Sequence, residues 1–373
     1  MQFIDLKRQY VRIENEINER IQTVLDHQKF IMGPEVVELE EQLKKYTGRK
    51  YVFSCASGTD ALVIPLMAYE LEKTDAVFVP SFTFFATGES VSLAGGTPVF
   101  VDSGSDFNID CQDLERRIQQ VMEKGKLTPR GIIAVDLFGQ SCNYEKIMEI
   151  ADKYHLFVIE DGAQSMGGEY RGRKNGAFGD VSATSFFPAK PLGCYGDGGA
   201  VFTDNDELAE KIYSIRVHGQ GGSRYDNVRI GINGRMDTLQ AAILLPKLAI
   251  LDKEIQARQI IVKTYVEELK NVFELPVISE DKLSAWAQFT VLAQDEAQRE
   301  KIVSRMKEQG IPIMVYYRCP LHMQTAFRYL DYQAEDVPQA AWFSKRVFSL
   351  PMHPYLENDE IVEVCSQLKK IVS

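Results

Sequence analysis

Short apolar runs alternate with stretches of helical periodicity from residue 51 onward, and this alternation constrains the fold more than any other feature of the chain. Runs this short and apolar are typical of buried strands. They occupy residues 51–55, 76–79, 97–102, 131–138 and 156–159, with helices predicted between them near 60–72, 84–94, 111–124 and 143–154. The pattern predicts an α/β fold around a mostly parallel sheet, whose ligands bind at the carboxyl ends of the strands.

Helical segments precede this region, and a second domain is predicted to follow it. Isoleucines spaced four apart predict a helix over 8–27, and Gly33-Pro34 starts another. A long helix over 236–270, interrupted by Pro246, closes a large domain of residues 1–272. A smaller α+β domain of residues 273–373 is expected, with strands at 286–293 and 311–317 and helices at 295–309 and 358–371.

Composition excludes several classes of protein. The 373 residues are 45% apolar and 25% charged, which is ordinary for a globular chain, and the net charge of −11 argues against a nucleic-acid-binding protein. The six cysteines are dispersed without a CxxC pair, so we expect reduced thiols and no metal site. We expect a cytoplasmic protein without a membrane segment, since there is neither a hydrophobic leader nor a run of about 20 apolar residues.

One lysine stands out at the end of an apolar strand. Lys190 lies between the run 181–187 and a glycine-rich turn that ends at Gly199. Apolar surroundings lower the pKa of an amine, which makes Lys190 a candidate nucleophile toward a carbonyl. The alternative is a surface lysine in a hairpin.

Three further motifs follow predicted strands. Asp161 ends the strand 156–159, where an unpaired acid is costly, although a helix cap or a structural ion pair would also explain it. Ser57-Gly58-Thr59-Asp60 opens a helix after strand 51–55, so it suits a phosphate but also an ordinary N-cap. The aromatic residues of Ser81-Phe82-Thr83-Phe84-Phe85 belong either to the core or to a ligand platform.

The segment from Ser185 to Ala200 closely resembles the lysine segment of the sugar aminotransferases of the DegT/StrS type, which are fold type I enzymes that use pyridoxal phosphate (PLP). The resemblance extends from Phe3 to the last helix. It implies that Lys190 binds the cofactor covalently. Several members of the family have histidine at this position and remove a hydroxyl group, so the lysine implies transamination.

The resemblance also assigns roles to other residues. Asp161, 29 residues before Lys190, would hold a proton on the pyridine nitrogen, and Gln164 would bond the phenolic oxygen. Phe84 would lie over the ring. The cofactor phosphate would contact Gly58, Thr59, Asp60 and Ser185, together with Asn233 reaching across a homodimer interface.

For the substrate, the resemblance is to the subgroup that aminates C3 of UDP-2-acetamido-2-deoxy-3-oxo-glucuronate for surface polysaccharides such as lipopolysaccharide O-antigen, with glutamate as donor. Arg235 or Arg229 would pair with the uronate carboxylate, or else serve as solvated or structural cations. Gly234 replaces a usual tyrosine and would leave room for a larger substituent. Tyr317 and His322 would face the cleft.

Other functions stay open at this point. A dTDP-linked 3-oxo-6-deoxyhexose is the alternative substrate, and it has no carboxylate. A non-catalytic PLP-binding regulatory relative is a second alternative, although the lysine, acid and phosphate motifs are intact. A Schiff-base aldolase without cofactor is a third, and it leaves Asp161, Gln164 and Ser185 unexplained.

Overall fold

A seven-stranded sheet forms the centre of the molecule in the computed structural model, which describes residues 1–223 and 225–372. Its spatial order is β1-β9-β8-β5-β4-β2-β3, and all neighbours are parallel except those of β9. The expected mostly parallel α/β sheet is therefore confirmed. The strands are β1 Tyr51–Cys55, β2 Asp75–Pro80, β3 Thr97–Val101, β4 Thr128–Val135, β5 Phe157–Asp161, β8 Val181–Ser185 and β9 Gly199–Thr203.

Helices connect and cover these strands. Apolar clusters lie on both faces of the sheet, because the parallel strands are buried on both sides. The helices of this part of the chain are α1 Leu6–Tyr10, α2 Glu14–His27, α3 Pro34–Thr47, α4 Gly58–Ala68, α5 Ala86–Leu93, α6 Cys111–Lys124, α7 Tyr144–Tyr154, α8 Asp206–Arg216 and α9 Thr238–Leu269.

The remaining elements form small sheets and a C-terminal layer. The strands β6 Glu169–Tyr170, β7 Arg173–Lys174 and β10 Lys282–Leu283 form one sheet, and β11 Phe289–Leu292 pairs with β12 Val347–Leu350. Helices α10 Glu296–Glu308, α11 Pro338–Arg346 and α12 Asn358–Val372 complete this part. The end of α9 shares an apolar cluster with β11, β12 and α12. The division of the chain at residue 272 stays a prediction.

Two local predictions were wrong. The helix expected over 8–27 is split into α1 and α2, because the backbone leaves the helical conformation at Ile13 (φ −131°). Residues 311–317 do not form a strand, and Met314 makes only an isolated bridge to Ser349. Pro312 has no backbone N–H group that could form a hydrogen bond to a neighbouring strand. The strand that pairs in this region is β12. Among the described residues, no helix is long and apolar enough to cross a membrane.

Candidate active site

The lysine turn follows β8 at the carboxyl edge of the sheet. The Lys190 amide N–H donates to the Phe187 carbonyl oxygen at 2.9 Å, and Cys194 N–H donates to Phe186 O at 2.8 Å. A Cβ atom on Gly193 would lie 2.5 Å from the Pro188 carbonyl oxygen, so only glycine fits this close turn. Burial lowers the pKa of Lys190, and the negative charge of Asp161 opposes that shift. The turn therefore presents an amine whose neutral form is favoured.

Asp161 ends β5, the strand beside β8. Its carboxylate accepts hydrogen bonds from the Thr87 hydroxyl at 3.0 Å and the Ala163 amide at 3.2 Å. Burial raises the pKa of Asp161, while these two hydrogen bonds and the charge of Lys190 lower it. No cation forms an ion pair with this carboxylate in the described part of the chain. A buried carboxylate that has hydrogen-bond donors but no ion-pair partner fits a protonated ring nitrogen.

A cradle for an anion lies at the first turn of α4. The Ser57 hydroxyl caps the helix by accepting from Asp60 N–H at 3.0 Å, and among residues 1–223 and 225–372 the amides of Gly58 and Thr59 have no acceptor. A Cβ on Gly58 would lie 2.6 Å from the Cβ of Ser185, so the glycine lets the helix meet the end of β8. Free amides at a helix N-terminus bind phosphate well. The residues present therefore fit the phosphate of PLP.

Gln164, Tyr317 and Phe84 lie next to one another. The Gln164 side chain accepts from the Phe138 amide at 2.8 Å and donates to the Tyr317 hydroxyl at 3.3 Å. Its second amide hydrogen is free for a ligand oxygen. The Phe84 ring is 57% exposed, and its centre lies 6.2 Å from that of Tyr317. An exposed aromatic face beside this edge suits a stacked ring.

His322 lies behind this segment and is only 2% exposed. Its Nδ1 is 2.6 Å from the Ser81 hydroxyl, and Leu321 N–H donates to Ser81 O at 2.8 Å. Burial lowers the pKa of His322 to about 4, so the ring is neutral. The His322 ring therefore contacts Ser81, the first residue of the segment that contains Phe84.

The segment Asn233–Arg235 lies at the carboxyl end of β1, next to the cradle. Gly234 O accepts from Ala56 N–H at 3.0 Å, and Arg235 forms a bridge with Cys55. Asn233 is exposed. The room expected at Gly234 stays a prediction; an added Cβ there would lie 3.2 Å from side-chain atoms of Ile64 and Ile232.

The two candidate arginines differ in their pairing. Arg229 lies 3.7 Å from a carboxylate oxygen of Glu210, which is on the surface. Arg235 makes no ion pair among the described residues, and its Nε is buried without a hydrogen-bond partner there. Of the two, Arg235 is the guanidinium that has unsatisfied donors beside the cradle.

Sequence reasoning missed two residues that support the site. Thr87, which binds Asp161, lies three residues after Phe84, and the sequence signal for it was a second threonine, Thr83, four residues earlier, whose hydroxyl lies 3.3 Å from that of Thr87. Lys247 is 2% exposed and donates from Nζ to Gly193 O at 2.6 Å, which fixes the turn after Lys190. Its signal was a lone lysine in the apolar run 241–251.

Known proteins resemble this chain over nearly its whole length. It is 46% identical to UDP-2-acetamido-2-deoxy-3-oxo-D-glucuronate aminotransferase of Pseudomonas aeruginosa, covering 99% of each chain. It is 37% identical to dTDP-3-amino-3,6-dideoxy-alpha-D-galactopyranose transaminase of Aneurinibacillus thermoaerophilus, covering 99% of this chain and 98% of the relative.

Two solved structures show the same fold. The crystal structure of a DegT DnrJ EryC1 StrS aminotransferase from Brucella abortus superposes with a TM-score of 0.97 at 46% identity, covering 100% of both chains. The Bacillus subtilis protein NtdA with bound cofactor PMP gives a TM-score of 0.86 at 31% identity, covering 96% of this chain and 81% of that one. The family model described as DegT/DnrJ/EryC1/StrS aminotransferase matches residues 11–369. The chain therefore belongs to the DegT/DnrJ/EryC1/StrS aminotransferase family.

Proposed function

We propose that this protein transfers an amino group from glutamate to C3 of UDP-2-acetamido-2-deoxy-3-oxo-D-glucuronate, using PLP, in the synthesis of surface polysaccharide sugars. The observation that carries the aminotransferase reaction is the convergence of Lys190 and Asp161 on adjacent strand ends beside the α4 cradle. The relative at 46% identity supports this substrate, because it is named as an aminotransferase of the same compound.

Separate residues would hold each part of the cofactor. The amides of Gly58 and Thr59 and the hydroxyl of Ser185 would bind its phosphate, and Phe84 would cover one face of its ring. Asp161 would hold a proton at the ring nitrogen. When bound, PLP supplies an aldehyde that takes up the amino group and a ring that withdraws electrons from the reacting carbon.

Lys190 has two tasks in this proposal. Its amine would hold the cofactor, and once it is free it would act as the base that moves a proton at the donor's alpha carbon. Both tasks need the neutral amine, which burial favours by lowering its pKa. Lys247 keeps the turn in place while the Lys190 side chain moves.

Arg235 is our candidate for the uronate carboxylate. A guanidinium pairs with a carboxylate through two parallel hydrogen bonds, and Arg235 has no acid that competes for it in the described part of the chain. Arg229 already lies near Glu210, which makes it the weaker candidate. A dTDP-linked 3-oxo-6-deoxyhexose is the alternative substrate, supported by the relative at 37% identity.

The proposal includes a homodimer whose sites are shared. Asn233 is exposed on its own chain, so its amide is available to the phosphate in the partner subunit's site. Large apolar side chains are also exposed around the same edge and would be covered by a partner; they are Phe30, Ile31, Phe187 and Ile230.

The test distinguishes three parts of the proposal, which are the amino donor, the amino acceptor and the reaction itself. Purified protein with PLP is treated with glutamate until its absorbance spectrum changes, the glutamate is removed, and candidate 3-oxo nucleotide sugars are added one at a time. Restoration of the original spectrum by the UDP-linked uronate alone supports the proposal. Restoration by a dTDP-linked deoxy sugar alone would replace the substrate and keep the reaction. An unchanged spectrum after the addition of glutamate would contradict the assignment of glutamate as the amino donor.

A further inference from the structure

Two acids that the proposed reaction does not use lie behind Asp161. Asp136 follows β4, and Glu160 is the residue before Asp161 on β5. Both are fully buried, and no lysine, arginine or histidine forms an ion pair with either of them among residues 1–223 and 225–372. Two buried, unpaired carboxylates would be strongly unfavourable, so the pair needs another explanation.

The hydrogen bonds of Asp136 identify it as the charged member. Its Oδ1 accepts from Cys142 N–H and the Tyr144 hydroxyl, both at 2.8 Å. Its Oδ2 accepts from the Ser165 hydroxyl at 2.8 Å and from Asn175 Nδ2 at 2.5 Å. Four donors around one carboxyl group favour the ionised form, because protonation would turn one of its acceptor positions into a donor.

Glu160 has a different environment. It accepts from the backbone amides of Gly176 at 2.7 Å and Phe178 at 2.8 Å. The Asn175 side-chain amide that binds Asp136 also donates to Glu160 Oε1 at 3.4 Å, so the two carboxyl groups share a donor and lie next to each other. Burial and the neighbouring charge of Asp136 raise the pKa of Glu160 to about 8. A protonated Glu160 has an O–H group that Asp136 can accept.

The pair is connected to the residues that would hold the cofactor. The Asp136 amide donates to the Asp161 carbonyl oxygen at 3.1 Å. Ser165, which binds Asp136, is adjacent to Gln164. Consecutive residues of a strand point to opposite faces, so Glu160 supports β5 from behind while Asp161 faces the site.

We propose that Glu160 and Asp136 share one proton and that this pair is a positioning element for Asp161 and Gln164. The proposal rests on the proposed function only in giving those two residues to the cofactor. At neutral pH Glu160 is a neutral acid that donates to the Asp136 carboxylate. The loss of its proton places a second negative charge in the same buried space and disturbs the loop that carries both cofactor contacts.

The pH dependence follows from the groups around the pair. The other titratable or charged groups that act on it come from the start of α7, the loop before it, the loop after α3 and the end of β5; they are Tyr144, Cys142, Arg49 and Asp161. Folded Glu160 keeps its proton to higher pH than unfolded Glu160. The free energy of unfolding therefore falls as pH rises from about 4.5 to about 8.

An infrared pH titration tests the shared proton without any assay of activity. The wild type should show the C=O band of a protonated carboxylic acid at pH 7 that disappears as the pH rises through about 8. Glu160→Gln should lack this band, while Glu254→Gln, at a buried glutamate bonded to Gln9 and Tyr355, should keep it. A band that persists in Glu160→Gln, or its absence from the wild type, would overturn the proposal.

PLP affinity tests the positioning role. Glu160→Gln keeps a neutral donor toward Asp136 but loses one of the two acceptors for the backbone amides, so it should weaken PLP binding less than Asp136→Asn does and should lose the further weakening of affinity above pH 8. Asp136→Asn turns two acceptor positions into donors and should weaken PLP binding about tenfold or more. Equal losses in the two variants would contradict the role, and Glu160→Gln tests it even where Asp136→Asn does not fold. A wild type that does not bind PLP would refute the proposed function instead, while the infrared result would still decide the shared proton.

Discussion

The edge that carries Lys190 and Asp161 and the region that carries Arg235, Tyr317 and His322 are built in different ways. The first lies at the ends of adjacent parallel strands, where Asp161 ends β5 and Lys190 lies in the turn that follows β8. In the second, Arg235 is held by an isolated bridge to Cys55, and Tyr317 and His322 belong to a loop and a short 3-10 helix. In the proposed function, the chemistry would therefore use residues placed by the central sheet, and the choice of substrate would use residues placed by loops and single bridges.

The largest effect should come from Lys190. Lys190→Ala removes both the covalent attachment of PLP and the proton transfer, so kcat should fall by at least about 10⁴-fold. Mass spectrometry after borohydride reduction should find no PLP on the chain. Lys247→Met is the matched control, because it removes a buried lysine that does not reach the reacting atoms and should retain attached PLP. Normal turnover by Lys190→Ala would refute the proposed reaction.

Asp161→Asn should have the second-largest effect. Without a negative charge the ring nitrogen is not kept protonated, so we expect kcat to fall about 10²- to 10³-fold while PLP stays attached. Steady-state kinetics together with the borohydride test measures both properties. Thr87→Val removes one of the two donors to the same carboxylate and should cost only about tenfold. A larger loss in Thr87→Val than in Asp161→Asn would reverse our assignment.

Arg235→Lys tests the proposed role of Arg235 in binding the substrate. Loss of bidentate pairing should raise KM for a uronate substrate about 10- to 100-fold with little change in kcat, and it should leave a neutral sugar nearly unaffected. Arg229→Lys is the control at a position already close to Glu210. Equal losses for charged and neutral sugars would show that Arg235 does not read the carboxylate.

The smallest effect concerns Lys247 and stability. Burial lowers the pKa of Lys247 to about 8, so the folded chain releases this proton before the unfolded chain does. The free energy of unfolding should therefore rise with pH between about 8 and 10.4, by up to about 3 kcal/mol. Urea titrations across this range should show a flatter dependence for Lys247→Met. An unchanged slope would mean that Lys247 keeps its ordinary pKa.

The difference between the two regions also explains what could be predicted from sequence. The strand ends were visible because apolar runs end just before Asp161 and Lys190, and a local pattern identified both residues. Thr87, Lys247 and the Asp136–Glu160 pair were not identified, since their roles depend on partners between 24 and 74 residues away. Ile64, far upstream in the chain, also packs close to Gly234. Packing between distant segments leaves no local signal.

The buried hydrogen bond between His322 and Ser81 affects how a pH–rate profile of this enzyme is interpreted. Burial lowers the pKa of His322 to about 4, and it also lowers the pKa of His353, in the same part of the chain, to about 4. Both rings are therefore neutral at the pH of an ordinary enzyme assay. A fall in rate on the acid side of neutrality would accordingly be assigned to groups other than these two imidazoles.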